Sequence, residues 1–279
     1  WLEEHLDDPD LVVLDATVIV QPDGSGGFVS VNGRPSYESG HIPTAGFADL
    51  FGDLSDGDSP HEFARPSPEQ FAAAMEALGV SDDSRVVLYD AVGSMWAARV
   101  WWMLRWIGFD RAALLDGGLN AWTAGGRPLS TEPGSRPAGQ LTVNHRPGLF
   151  ADRDEVLASI EDDAVTLIDS LPPTYFRGET TMYDRPGHIT GAVNVPVFLA
   201  FDDTGHFRPL DEAASIFEGD RDGRAINYCG GGIAASSNAF VMTRLGFTDV
   251  AVYDASLQEW TADPDLPMEV DLESFDSED

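Results

Sequence analysis

The chain has 279 residues, the length of roughly two ordinary domains, and its 43% hydrophobic and 10% aromatic content supplies real cores, which excludes disorder over most of it. Sixteen basic against 48 acidic side chains give a net charge of −32 and a pI near 4.1. Such a surface repels phosphate backbones and anionic lipid headgroups, so nucleic acid and membrane are poor partners. Every basic residue is Arg and none is Lys, with the carboxylates spread along both halves. That pattern suits a halophilic source with a salt-rich cytoplasm, where short screening lengths make the charge bearable; a GC-rich genome is a second origin for the absence of Lys.

The chain opens at Trp1, with no Met and no basic start ahead of an apolar run, so the natural N-terminus is read as missing and a cytoplasmic protein is the default. The first short apolar run, Leu11–Leu14, predicts a buried strand of a parallel sheet. Ser67 to Leu78 predicts a helix with Pro68 in its first turn, stopped by Gly79. Val86–Tyr89 is a second strand. Met95 to Ile107 is a helix apolar around most of its circumference, ended at Gly108. The apolar stretch to Phe109 is cut by Arg99 and Arg105 and falls short of the ~20 residues a membrane span needs. Ser130 to Leu149, rich in Pro, Gly and polar residues, reads as a linker. Beyond it, Val165–Ile168 and Ala225–Tyr228 predict strands, Ser236 to Leu245 predicts a helix ended by Gly246, and the acidic tail Glu269 to Asp279 reads as frayed.

Four blocks recur in order in the two halves. LVVLDAT (Leu11 to Thr17) returns as VTLIDSL (Val165 to Leu171), and SGHIPTA (Ser39 to Ala45) as PGHITGA (Pro186 to Ala192). RVVLYDAVGS (Arg85 to Ser94) returns as RAINYCGGGI (Arg224 to Ile233), and LLDGGLNAW (Leu114 to Trp122) as VYDASLQEW (Val252 to Trp260). A repeat of this size sets the whole fold. Strands alternating with helices predict two tandem α/β domains, each a mostly parallel sheet flanked by helices: 1–130, a linker 131–150, and 151–279.

The single cysteine, Cys229, excludes an intramolecular disulfide and a cysteine-built zinc site. It ends an apolar strand and opens Cys-Gly-Gly-Gly-Ile-Ala-Ala-Ser ahead of a helix. Three glycines let successive N–H groups turn toward one point, and a helix N-terminus adds its positive end, so the loop is an anion cradle. A thiol at its base is expected to have a lowered pKa and to attack electrophilic sulfur, or to hold a persulfide. The competing reading is an inert thiol, since free cysteine is commonly a buried small hydrophobe. Position favours chemistry, because open α/β sheets place their sites at the C-terminal ends of strands. The aligned residue in the first half is Asp90, which keeps the strand and turn but has no thiol.

The two-copy layout, the GHI-x-x-A segments, the Y-C-G-G-G-I-A-A loop and the YDASLQEW ending resemble the tandem-domain rhodanese family of sulfurtransferases over nearly the whole chain. The resemblance implies two rhodanese-like domains, the first silent and the second carrying a sulfur-transferring cysteine, here Cys229. It implies a small-molecule sulfur donor, thiosulfate or 3-mercaptopyruvate, a thiophilic acceptor such as cyanide, and no metal or organic cofactor; the oligomeric state stays open, with a monomer as the default. Donor contacts are expected from Gly230, Gly231, Gly232, Ile233 and Ala234. Thiosulfate-type members usually carry cations just after the cysteine, and mercaptopyruvate-type members read Cys-Gly-Ser-Gly-Val-Thr. Gly230 fits the second pattern, but Gly231 stands where that type has a serine. The family's donor-binding arginine falls at Tyr175, so Arg177, two residues on, is the substitute candidate, against its reading as a surface ion-pair partner.

Other candidates have plainer readings. His41 and His188, present in both copies, are assigned shared structural hydrogen bonds. His61 is either a cleft residue or an exposed loop histidine. Trp122 and Trp260 cap the cores, and Trp101, Trp102 and Trp106 belong to core or domain interface. No Gly-Lys-Ser/Thr sequence supports a phosphate-binding loop, and the phosphatase pattern fails because Ala235 stands where its arginine is required. The alternative to an enzyme is a non-catalytic tandem module or persulfide carrier that serves a protein acceptor. A peroxide sensor is weaker, since no second cysteine resolves a sulfenic acid.

Overall fold

Both halves of the chain build an open parallel sheet, as the repeat requires. The computed structural model describes residues 1–24 and 28–271. The first half runs α1 (Leu2–His5), β1 (Leu11–Asp15), β2 (Val18–Pro22), β3 (Phe28–Asn32), α2 (Arg34–Ser39), β4 (Gly46–Phe47), α3 (Pro68–Ala77), β5 (Arg85–Tyr89), α4 (Met95–Trp106), β6 (Ala112–Leu114) and α5 (Gly118–Ala124). The second runs β7 (Phe150–Ala151), α6 (Arg153–Ser159), β8 (Val165–Asp169), α7 (Pro173–Phe176), β9 (His188–Ile189), β10 (Val193–Asn194), α8 (Leu210–Ala213), β11 (Arg224–Tyr228), α9 (Ile233–Leu245), β12 (Asp249–Tyr253), α10 (Ser256–Trp260) and β13 (Met268–Glu269). The sheet orders are β4-β1-β5-β6 and β10-β8-β11-β12-β7, every pairing parallel.

The four apolar runs become β1, β5, β8 and β11, each strand paired on both sides, which is why they read as continuous apolar segments. Ser67 caps α3 by accepting the Gln70 N–H, and Gly79, Gly108 and Gly246 follow their helices at positive φ. Three expectations shift. Helix α9 begins at Ile233 rather than Ser236, because the glycine turn delivers the chain straight into its first turn. Phe150, the last residue of the segment read as linker, opens β7 beside β12. Glu269 is in β13, paired antiparallel with β9, and the Asp271 N–H donates to the Arg177 carbonyl, so the start of the tail is fixed; residues 272–279 lie outside the described residues. The antiparallel hairpin β2–β3 has no counterpart among the described residues of the second half and was not legible in the repeat.

Strand alternation sorts the core into three layers. Leu11, Val13, Val87 and Tyr89 face an outer cluster with Tyr37 and Trp122. Ile226, Tyr228, Ala251 and Tyr253 face the other outer cluster with Trp260. Between the sheets, Val12, Leu14, Val86 and Leu88 of the first and Ala225, Val250 and Val252 of the second share one continuous core with α3, α4 and α9. Trp101 of α4 meets Phe240 of α9 edge to face at 4.9 Å between centroids. The aromatic run of α4 therefore glues the halves together, as its core-or-interface reading expected.

One charged pair is buried in that seam. Arg99 of α4 is fully buried; its guanidinium donates to the Asp254 carboxylate beyond β12 and, at 3.0 Å, to the Phe63 carbonyl. The other oxygen of Asp254 accepts the Arg65 N–H at 2.9 Å. Removing one partner strands the other charge away from water, so Arg99→Met or Asp254→Leu alone should cost about 3 kcal/mol or more. The double variant Arg99→Met/Asp254→Leu should recover most of that loss in urea unfolding. Additive losses would show that the two charges are not coupled.

Candidate active site

Cys229 follows the last residue of β11 and is 3% exposed. Its N–H donates to Ser256 Oγ at 3.1 Å, its carbonyl accepts the Leu257 N–H at 3.1 Å, and the Gly230 carbonyl accepts the Gln258 N–H at 3.0 Å. Ser256 sits at φ 52, a left-handed conformation held by its own hydroxyl bonding the Tyr253 carbonyl. The start of α10 thus clamps the loop from below.

The loop then turns over into α9. Gly232 is its N-cap at φ 76, the left-handed region that glycine enters without strain. Gly230 and Gly231 are constrained by space. A Cβ on Gly230 would lie 1.7 Å from the Tyr183 hydroxyl, and one on Gly231 2.6 Å from Gln258 Nε2. The backbone N–H groups of Gly231, Gly232, Ile233, Ala234 and Ala235 have no acceptor among the described residues.

The first half shows what such a loop holds. Asp90 is buried at the same place after β5, and its carboxylate accepts from Val92 N (2.8 Å), Ser94 N (2.9 Å) and Ala97 N (2.9 Å). By the repeat, Val92 and Ser94 match Gly231 and Ile233. Ser94 takes φ 60 despite its Cβ, because the carboxylate fixes its N–H. Burial pushes the Asp90 carboxyl above its usual range and the three donors pull it back. Two of the three donors that surround the Asp90 carboxyl in the first half therefore recur unpaired in the loop that follows Cys229, while the counterpart of the third, Ser236, donates to the Gly232 carbonyl.

A cleft of about 460 Å³ opens over the loop, lined by Gly231, Ile233, Tyr183, Met182, Gln258 and, from the first half, Glu62, Phe63, Trp96 and the β2–β3 hairpin. Gln258 ties its walls, accepting the Glu62 N–H at 2.9 Å across the domain seam. His61 is not among the lining residues; its neighbours Pro60 and Glu62 are. Arg177 Nε donates to Glu179 at 2.6 Å, and Arg177 is not among the lining residues either. His41 and His188 are buried under the sheets, stacked on Tyr37 and Phe176, with Nδ1 on the Tyr37 and Phe176 carbonyls, which is the shared structural bond expected of them. Among the described residues no cluster of three or more His, Cys, Asp and Glu could hold a metal, and no helix is long and apolar enough to cross a membrane.

Tyr183, Gln258 and Glu62 were missed by sequence reasoning. Gln258 lies within a recurring block and was signalled only as part of it; Tyr183 falls in a segment without a repeat partner, so periodicity and self-similarity pass over it.

Beneath the loop, Asp169 ends β8 fully buried, with Oδ1 accepting the Leu171 N–H at 2.8 Å and Oδ2 unpartnered. Burial pushes its carboxyl up to about 6. A folded pKa above the unfolded one means the group contributes stability when protonated, and that contribution is lost as pH rises through about 6. Asp169→Asn should therefore gain on the parent by about 2 kcal/mol between pH 4 and pH 7.5. Urea unfolding at the two pH values checks this; a difference independent of pH would contradict it.

A model of the rhodanese-like domain matches residues 1–125 and again 152–263. The chain is 34% identical to the 3-mercaptopyruvate sulfurtransferase of Escherichia coli, covering 96% of this chain and 95% of that one. It is 34% identical to the thiosulfate sulfurtransferase of Rattus norvegicus, covering 81% of this chain and 79% of that one. The crystal structure of SseA, a 3-mercaptopyruvate sulfurtransferase of E. coli, superposes with a TM-score of 0.81 at 33% identity, covering 92% of this chain and 96% of that one. With two matched copies and full-length relatives on the same architecture, the chain belongs to the rhodanese-like family as a tandem-domain member.

Proposed function

We propose that the protein is a sulfurtransferase in which Cys229 carries sulfur as a persulfide between a small-molecule donor, thiosulfate or 3-mercaptopyruvate, and a thiophilic acceptor such as cyanide. The observation that carries the reading is the set of unpaired N–H groups at Gly231 to Ala235, two of which, Gly231 and Ile233, match the Val92 and Ser94 N–H groups that hold the Asp90 carboxylate in the first half. The relatives at 34% identity carry the same two donor names.

The Cys229 thiolate attacks the outer sulfur of the donor. With thiosulfate the S–S bond breaks and sulfite leaves with the electron pair; with 3-mercaptopyruvate the C–S bond breaks and pyruvate leaves as its enolate, which takes up a proton. The negative charge on the persulfide is held by the Gly231, Gly232, Ile233 and Ala234 amides and the α9 N-terminus, without reorganisation. Cyanide then attacks the outer sulfur, the S–S bond to Cys229 breaks, and the thiolate returns as thiocyanate leaves. Donor and acceptor use one cleft in turn, so kinetics are ping-pong. The unit 1–130 acts as scaffold and cleft wall, the strap 131–150 joins it to 151–279, and the second unit carries the chemistry.

Cys229→Ser should fold like the parent, with an unchanged far-ultraviolet circular dichroism spectrum, and lose transfer to cyanide by 10³-fold or more, on the order expected for removing a covalent nucleophile. Turnover retained in this variant would overturn the mechanism.

The net charge of −32 and the absence of Lys fit a halophilic protein in a salt-rich cytoplasm. The melting temperature should rise from dilute buffer to molar KCl as the carboxylates are screened. A melting temperature highest in dilute buffer would contradict this.

A further inference from the structure

The space that a side chain after Cys229 would fill is taken by another residue's hydroxyl. Tyr183 stands in the segment between α7 and β9, its ring packed against the outer core cluster that contains Tyr228 and Trp260. Two features fix it. Thr181 Oγ accepts the Tyr183 N–H at 3.0 Å and donates to its carbonyl at 3.1 Å. Arg185, two residues on, spends its guanidinium on the carbonyls of Trp260, Thr261, Asp263 and Leu266. So anchored, the ring lines the cleft and brings its hydroxyl against Gly230, where a Cβ would come within 1.7 Å of the oxygen. The hydroxyl makes no hydrogen bond within the described residues, although the ring that carries it is half-buried. The hydroxyl thus stands at the wall of an open cleft, beside the loop that carries Cys229, with its donor available to a ligand atom.

We propose that Tyr183 is a catalytic residue that donates its hydroxyl hydrogen bond to the outer sulfur carried on Cys229, adding a side-chain donor to the backbone cradle. This rests on the persulfide reading above. The titratable groups whose charge acts on the phenol are Cys229, Asp169 and Tyr175, and Glu62 shares the cleft with it. Burial and the neighbouring Cys229 and Asp169 charges raise the phenol well above its ordinary range. It therefore stays protonated and acts as a donor, never as a base. No proton is transferred: the O–H bond stays intact while the sulfur changes partners. The bond forms when the outer sulfur becomes anionic on Cys229, so it favours loading over the free donor.

The test loads the protein with one sulfur from thiosulfate or 3-mercaptopyruvate, confirms the load by intact mass, and titrates the near-ultraviolet band of the perthiolate against pH. In Tyr183→Phe, which keeps the ring and its packing, the titration midpoint should move up by about one pH unit. The rate of loading at saturating donor should fall by about 10-fold or more, with KM little changed. Substituting 3-fluorotyrosine at position 183, a stronger donor of nearly the same shape, should move the midpoint the other way, and a merely structural role would give no such reversal. A parent that loads while both variants keep its midpoint and rate would overturn the proposal alone. A parent that takes sulfur from neither donor would overturn the persulfide reading and this proposal with it.

Discussion

Backbone N–H groups that a turn leaves pointing at one spot, at the end of a strand and the start of a helix, need an electron-rich partner or they cost the fold their lost hydration. Both halves of this chain build that turn, and they solve the problem differently. The first closes the ring with its own carboxylate, Asp90, which accepts three N–H bonds and is thereby spent. The second places a thiol there, too weak an acceptor to satisfy the ring, and leaves the amides of Gly231 to Ala235 to whatever charge chemistry brings to the sulfur. On the function proposed here, the difference between a scaffold and a reactive centre comes down to one residue at one position of a shared loop.

Keeping such a loop open depends on what surrounds it. The α10 N-terminus holds it through Ser256, Leu257 and Gln258, and the buried Arg99–Asp254 pair locks the segment before α10 to the first half. The first half also supplies one wall of the cleft through Glu62, Phe63 and Trp96. A continuous core between the sheets makes the two halves one packed body, which explains how the copy without a cysteine still shapes the cleft.

Much of this was legible in the residues. The four apolar runs became the inner strands because strands buried on both faces read as unbroken apolar segments, and the recurring blocks place Cys229 and Asp90 at equivalent points. The paired histidines were readable for the same reason, since a feature present in both copies points to the fold they share. What escaped was whatever the repeat does not contain. The β2–β3 hairpin, Tyr183 and the Glu62 contact lie in segments of one copy only, and which side chain fills the place beside Gly230 depends on a tertiary approach that no spacing in sequence encodes. Arg177 shows the limit from the other side: its charge and position suited a donor's anionic end, but its tie to Glu179 two residues away is decided by local geometry.

The most direct measurement of the central claim is the intact mass of the protein, in molar salt, after incubation with thiosulfate or with 3-mercaptopyruvate and again after cyanide. A gain of one sulfur's mass that maps to Cys229 and disappears with cyanide is the result this account predicts. A thiol that alkylates readily yet gains no sulfur from either donor would contradict it.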